Sequence, residues 1–135
     1  MDYRCSVALS SLDQQKILDL AESMNKRNRR EYQRIEKKLA LRVAAARKEL
    51  ERVVGLFVDI DPELKRVVLF GSLARDEATR LDFDIDVAVE SSRYMDLLGI
   101  VLESDFKIDL IDLESASPYI RRSVERDGKE LFRAE

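Results

Sequence analysis

Between Ile17 and Phe57 the apolar residues recur at helical steps. Ile17, Leu20 and Met24 come first, and Ile35, Leu39, Val43, Ala46, Leu50, Val53 and Phe57 resume after a polar gap. Residues three or four apart share one face of an α-helix. Ser11-Leu12-Asp13-Gln14 supplies a capping-box start, in which a hydroxyl and the Gln three positions on satisfy two orphan backbone donors. One long helix is therefore expected, and a stripe longer than about 25 residues suits a coiled coil or a docking helix. Asn25 to Arg30 (NKRNRR) is polar all round, so the helix is expected to fray, kink or stand free there. Two uses of the stripe stay open. Its second half, Ile35 to Phe57, suits packing on the chain's own sheet, and Leu12 to Arg30 suits self-association or a partner protein.

After this helix the rhythm changes. Asp61-Pro62-Glu63 has the form of a new helix start, because Asp suits a cap and Pro a first turn. Val67-Val68-Leu69-Phe70, bounded by Gly71, reads as a buried strand. Phe83 to Val89 gives a second strand, Tyr94 to Leu102 a helix, and Phe106 to Leu113 a third strand. Ser117-Pro118 opens a last helix that ends near Gly128, with Leu131-Phe132 returning to the core. The order from residue 62 onward is β-α-β-α-β-α, a mixed α/β domain. The expected division is a helical extension over 1–57 and a domain over 58–135.

Composition limits the chemistry. The 135 residues include no His and no Trp, and Cys5 is the only cysteine. Ser-His-Asp and Cys-His catalysis and His- or Cys-ligated zinc cannot be built from this chain alone. Carboxylates, hydroxyls, Lys/Arg and a hard metal ion remain. A lone thiol also fits a reducing compartment. The start lacks a basic stretch followed by a long apolar run, and no run approaches about 18 apolar residues, so a cytoplasmic protein is expected. The net charge of −3 hides an asymmetry: residues 1–54 carry 13 Lys/Arg against 8 Asp/Glu, and residues 55–135 carry 11 against 19. A solvated basic helix followed by an acidic globule accounts for this, and nucleic acid is not the expected partner.

Three features of the acidic part bear on chemistry. A strand runs into Gly71-Ser72, where glycine lets the backbone approach a phosphate and the next segment, Leu73 to Thr79, can be helical and offer free N–H groups. Alone, Gly-Ser after a strand is a turn. Asp84-Ile85-Asp86 opens the second strand and puts two carboxylates on one face about 7 Å apart. Alone, the pair is a solvated strand end; together with Mg²⁺ it is a phosphoryl- or nucleotidyl-transfer site. Asp109 lies in the apolar run Ile108-Asp109-Leu110-Ile111, which fits either an edge strand or a site.

The combination resembles the DNA polymerase beta-like nucleotidyltransferase superfamily, and within it the minimal nucleotidyltransferase (MNT) domain. The matching residues are Leu69-Phe70-Gly71-Ser72, Arg75, Phe83-Asp84-Ile85-Asp86-Val87 and Ile108-Asp109-Leu110, and the resemblance covers roughly residues 62–132. It implies a small mixed β-sheet flanked by helices. It also implies that Asp84, Asp86 and Asp109 form a two-metal Mg²⁺ site and are catalytic. Gly71 and Ser72 would then cradle the phosphates of ATP or another nucleoside triphosphate, with Arg75 a phosphate contact. Small domains of this kind are often antitoxins that transfer AMP to a tyrosine of a HEPN-family toxin, and that partner and activity are the expectation here. Three departures stand out. Asp76 replaces a common glycine and is expected to add negative charge beside the triphosphate. The segment from Gly71 to the aspartate pair is about one residue longer than usual. Asp82/Asp84 is a competing register for Asp84/Asp86, as Asp112 is for Asp109. A binding-only antitoxin and a small-molecule nucleotidyltransferase are the alternative readings, and a homo-oligomer through the long helix is a further possibility.

Overall fold

A computed structural model describes residues 11–135, with side chains from Asp13 onward. Cys5 lies outside the described residues, as does the Ser11 side chain of the capping box. Helix α1 spans Ser11–Ile60. It is followed by β1 (Arg66–Phe70), α2 (Gly71–Ala74), β2 (Ile85–Glu90), α3 (Tyr94–Leu102), β3 (Ile108–Asp112), α4 (Pro118–Asp127) and β4 (Lys129–Arg133). The chain divides between Lys37 and Lys38 into two units. In the first, every described side chain is solvent exposed, and α1 continues without a break through Asn25–Arg30. No described helix is long and apolar enough to cross a membrane.

In the second unit the strands form one mixed sheet in the order β3-β2-β1-β4. β1 pairs antiparallel with both β2 and β4, and β2 pairs parallel with β3. Alternation along the strands sends Val67, Leu69, Ile85, Val87, Val89 and Leu110 to one face. There they pack with Ala46, Leu50, Val53 and Phe57 of α1 and Leu97 and Val101 of α3. From Val43 to Phe57 the helical stripe is thus core, as its spacing implies, whereas Ile35 is exposed. The opposite face presents Val68, Phe70 and Ala88, covered by Val124 and Ile120 of α4. Gly128 makes the α4–β4 junction possible, since a Cβ there would lie 2.2 Å from the Val124 carbonyl oxygen and 2.6 Å from Val68.

Three local expectations are corrected. Asp61-Pro62-Glu63 forms a turn rather than a helix start. The buried Asp61 carboxylate accepts from the Glu63 backbone N–H (3.0 Å) and from the Ser91 hydroxyl (2.5 Å), so it stitches the end of α1 to the loop after β2. The segment after Gly71 stops after a single helical turn, because Asp76 adopts φ 56° and reverses the chain. Leu131-Phe132 returns to the core inside a fourth strand, whose pairing with β1 shifts register between Val67 and Val68. The Ser117-Pro118 start is as expected: Ser117 Oγ accepts from the Ile120 N–H and Pro118 stands in the first turn.

Burial distinguishes the two parts of α1. Phe57→Ala removes a fully buried ring and is expected to cost about 3–5 kcal/mol in urea unfolding. Leu20→Ala, on an exposed position, should change the stability of the isolated fold by no more than about 0.5 kcal/mol.

Candidate active site

The α4-covered face of the sheet is apolar at one end and acidic at the other. β1 delivers Phe70 beside Asp86 of β2, and the parallel register sets Asp86 beside Asp109 of β3. Adjacent strands lie about 4.8 Å apart, so these two carboxylates are cross-strand neighbours. Asp84, two residues before Asp86, is exposed just ahead of the strand. Gly71 completes the corner. It has φ +77°, and a Cβ on it would lie 2.1 Å from Asp86 Oδ2. Both the backbone conformation and the close approach therefore require glycine.

These residues surround one open cavity of about 940 Å³. Gly71, Ser72, Arg75, Asp84, Asp86 and Asp109 all line it, so all six residues singled out from the sequence come together. Tyr119, Ile120 and Ser123 of α4 form another wall. β3 is an edge strand, so both readings of Asp109 hold at once: it lies on an edge and it faces the cavity. Of the competing carboxylates, Asp82 also lines the cavity but is ion-paired to Arg80 (3.2 Å). Asp112 accepts from the Glu114 N–H in the turn after β3.

The charge distribution is lopsided. Asp86 is half-buried, and burial first, then the Asp109 and Asp84 carboxylates, push its pKa up to about 6 against the pull of Arg75. Arg75 is itself engaged: its Nε donates to Glu77 (2.8 Å) and its Nη1 to Asp127 (3.4 Å). Lys107 lines the same cavity and, among the described residues, has no carboxylate partner. Sequence reading passed over Lys107, although it shares strand parity with Asp109 and alternation alone puts the two on one face.

The donor set fits a hard divalent cation. All candidate ligands are carboxylate oxygens, and a bound cation would offset the burial and the carboxylate repulsion that raise the Asp86 pKa. Among the described residues, no group of three acidic side chains forms a ready-made metal cage.

Asp76 does not do what its position in the sequence suggests. Its carboxylate accepts from Arg47 Nη2 (2.7 Å), lies 3.8 Å from Lys129 Nζ, and is not part of the cavity lining. Its carboxylate is thus turned to Arg47 and Lys129, off the cavity lining. The left-handed backbone at this position is one that glycine adopts without strain.

Comparison with known proteins agrees with this geometry. Residues 56–135 match the family model for polymerase beta nucleotidyltransferases. The chain belongs to that family. Over 90 residues it is 33% identical to the protein adenylyltransferase MntA of Shewanella oneidensis, covering 60% of this chain and 63% of that protein's length. It is 28% identical to a chain in a crystal structure of a toxin–antitoxin with AMP-PNP, with a TM-score of 0.52 over 63% of this chain and 74% of that one. A Sulfolobus solfataricus protein, at 16% identity and TM-score 0.53, covers 71% of this chain and 87% of its own, and shares the fold.

The raised Asp86 pKa makes a signed prediction. Below about pH 4 the carboxyl is protonated in both folded and unfolded states and costs nothing. Between about 4 and 6 the unfolded chain ionises first, so stability falls as pH rises, and above about 6 the penalty is complete. The shift sets a ceiling near 3 kcal/mol, which solvent screening at this half-buried site reduces to roughly 1–2 kcal/mol. Without divalent cations, Asp86→Asn should therefore stabilise the protein by about that amount at pH 7.5 and hardly at all at pH 4, as read by urea unfolding.

Proposed function

We propose that this chain is a Mg²⁺-dependent nucleotidyltransferase that transfers AMP from ATP to a tyrosine hydroxyl of a HEPN-type toxin, acting as its antitoxin in the cytoplasm. The observation that carries the reading is the Asp86–Asp109 pair, with Asp84 beside it, set in one open cavity with the Gly71-Ser72 corner. Family membership supports the reaction class. The likeness to an adenylyltransferase and to a chain in a crystal structure of a toxin–antitoxin with AMP-PNP supports ATP as donor and a toxin as acceptor.

In this reading Gly71 and Ser72 hold the β- and γ-phosphates against the end of β1, and Arg75 and Lys107 supply positive charge from either side of the cavity. Asp84, Asp86 and Asp109 hold Mg²⁺, which when bound neutralises phosphate charge and polarises the α-phosphoryl group. Asp109 is exposed beside Asp86, so it can accept the proton of the incoming hydroxyl. The hydroxyl oxygen bonds to the α-phosphorus, the bond to the β-phosphate oxygen breaks, and pyrophosphate leaves. Such transfer depends on positioning and charge neutralisation, which suits a chain without histidine.

Two measurements test this. Full-length protein incubated with Mg²⁺, α-labelled ATP and the HEPN-type protein encoded beside it should label that protein. Asp84→Ala with Asp86→Ala should cut labelling by at least about 10²-fold. A double variant that neutralises the toxin as well as the unaltered chain would rule out transfer as the working mechanism. Separately, Asp76→Gly should leave the transfer rate within about twofold of the unaltered chain, because Asp76 faces Arg47 rather than the nucleotide. A large gain in rate would show that Asp76 does act on the site.

A further inference from the structure

The first unit leaves a helix face uncovered. Ile17, Leu20, Met24, Tyr32 and Ile35 are between 43% and 65% exposed. At 100° per residue they and Asn28 fall on one stripe about 120° wide. A solvated helix of this length is marginal by itself, and helical stability in proteins comes chiefly from a packed apolar face. The stripe therefore calls for an occupant, and its own pattern says which.

The steps along Ile17, Leu20, Met24, Asn28, Tyr32 and Ile35 are three, four, four, four and three. This spacing reads the same from either end, so an antiparallel copy offers matching steps. Ile17 would then face Ile35 of the other chain, Leu20 would face Tyr32, and Met24 would face Asn28. Charge favours the same orientation. Residues 13–24 carry Asp13, Asp19 and Glu22 against Lys16. Residues 25–37 carry Lys26, Arg27, Arg29, Arg30, Arg34 and Lys37 against Glu31 and Glu36. A parallel pair would stack the basic block on itself, whereas an antiparallel pair sets the acidic end of each helix along the basic block of the other. We propose that residues 13–37 of α1 are a self-association surface, on which a second copy of this chain pairs antiparallel in that register.

The orientation can be read directly. In a full-length Cys5→Ser background, chains carrying Ile17→Cys are mixed with differently tagged chains carrying Ile35→Cys and oxidised. The expected product is the mixed disulfide dimer, with little of either same-site dimer. Predominant same-site dimers would mean parallel pairing and overturn the proposal. Sedimentation of the uncrosslinked chain at tens of micromolar should give twice the chain mass, and Leu20→Glu should return it to one chain with unchanged helical signal. A single-chain mass for the unaltered protein would also overturn the proposal, including the case in which the stripe is covered only by the toxin. So would a dimer that Leu20→Glu leaves intact.

Discussion

A half-buried carboxylate that cannot comfortably ionise organises the acidic end of this sheet. Asp86 points from a central strand toward Gly71 on one side and Asp109 on the other. Burial, and then the Asp109 and Asp84 carboxylates, raise its pKa to about 6, and Arg75 only partly offsets them. An apolar residue at this position would stabilise a bare sheet, so a carboxylate here is a local sacrifice of stability of the kind found at functional sites. Gly71 answers to it directly: the turn after β1 takes a positive φ and keeps its Cα bare because Asp86 occupies the space a side chain would need. The edge position of β3 follows the same logic, leaving Asp109 reachable from solvent while it stands beside Asp86.

The scaffold that holds this corner comes from both faces of the sheet. α1 and α3 cover one face with a continuous apolar layer that includes Phe57, Leu50, Leu69 and Leu97. α4 covers only part of the other, packing Val124 on Val68 and Ala88 and leaving the acidic end open. One strand can therefore be core and site at once. In β2, Ile85, Val87 and Val89 are buried against the helices while Asp86 turns to the cavity. The cost of carrying a carboxylate in a central strand is borne by those neighbours.

Much of this was legible from residue order. The helical stripe, the strands around Phe70, Val87 and Leu110, and the Ser117-Pro118 cap follow from period and cap chemistry. The errors share one cause: the signals were local and the outcome was not. Asp61-Pro62 has the chemistry of a helix start, but Ser91 captures the carboxylate for the end of α1. Leu73 to Thr79 has helical composition, but the chain reverses at Asp76, which Arg47 and Lys129 hold. β4 shows in the sequence only as two apolar residues returning to the core, because five residues with charged ends carry little period-2 signal.

By itself, the sequence determined which chemistry is possible and which residues can take part. Lacking histidine, with a single cysteine, and with aspartates at strand parity beside a Gly-Ser corner, it left carboxylates and a hard cation as the means. Side-chain alternation and helix period are properties of the backbone, so they can be read from order alone. Tertiary structure decided how those residues are charged and what faces them. Only the pairing of β2 with β3 brings Asp109 against Asp86, and only the packing of α1 on the sheet gives Asp76 an arginine partner. Electrostatic environment depends on distance through space and on burial, and neither is written in the order of residues along a chain.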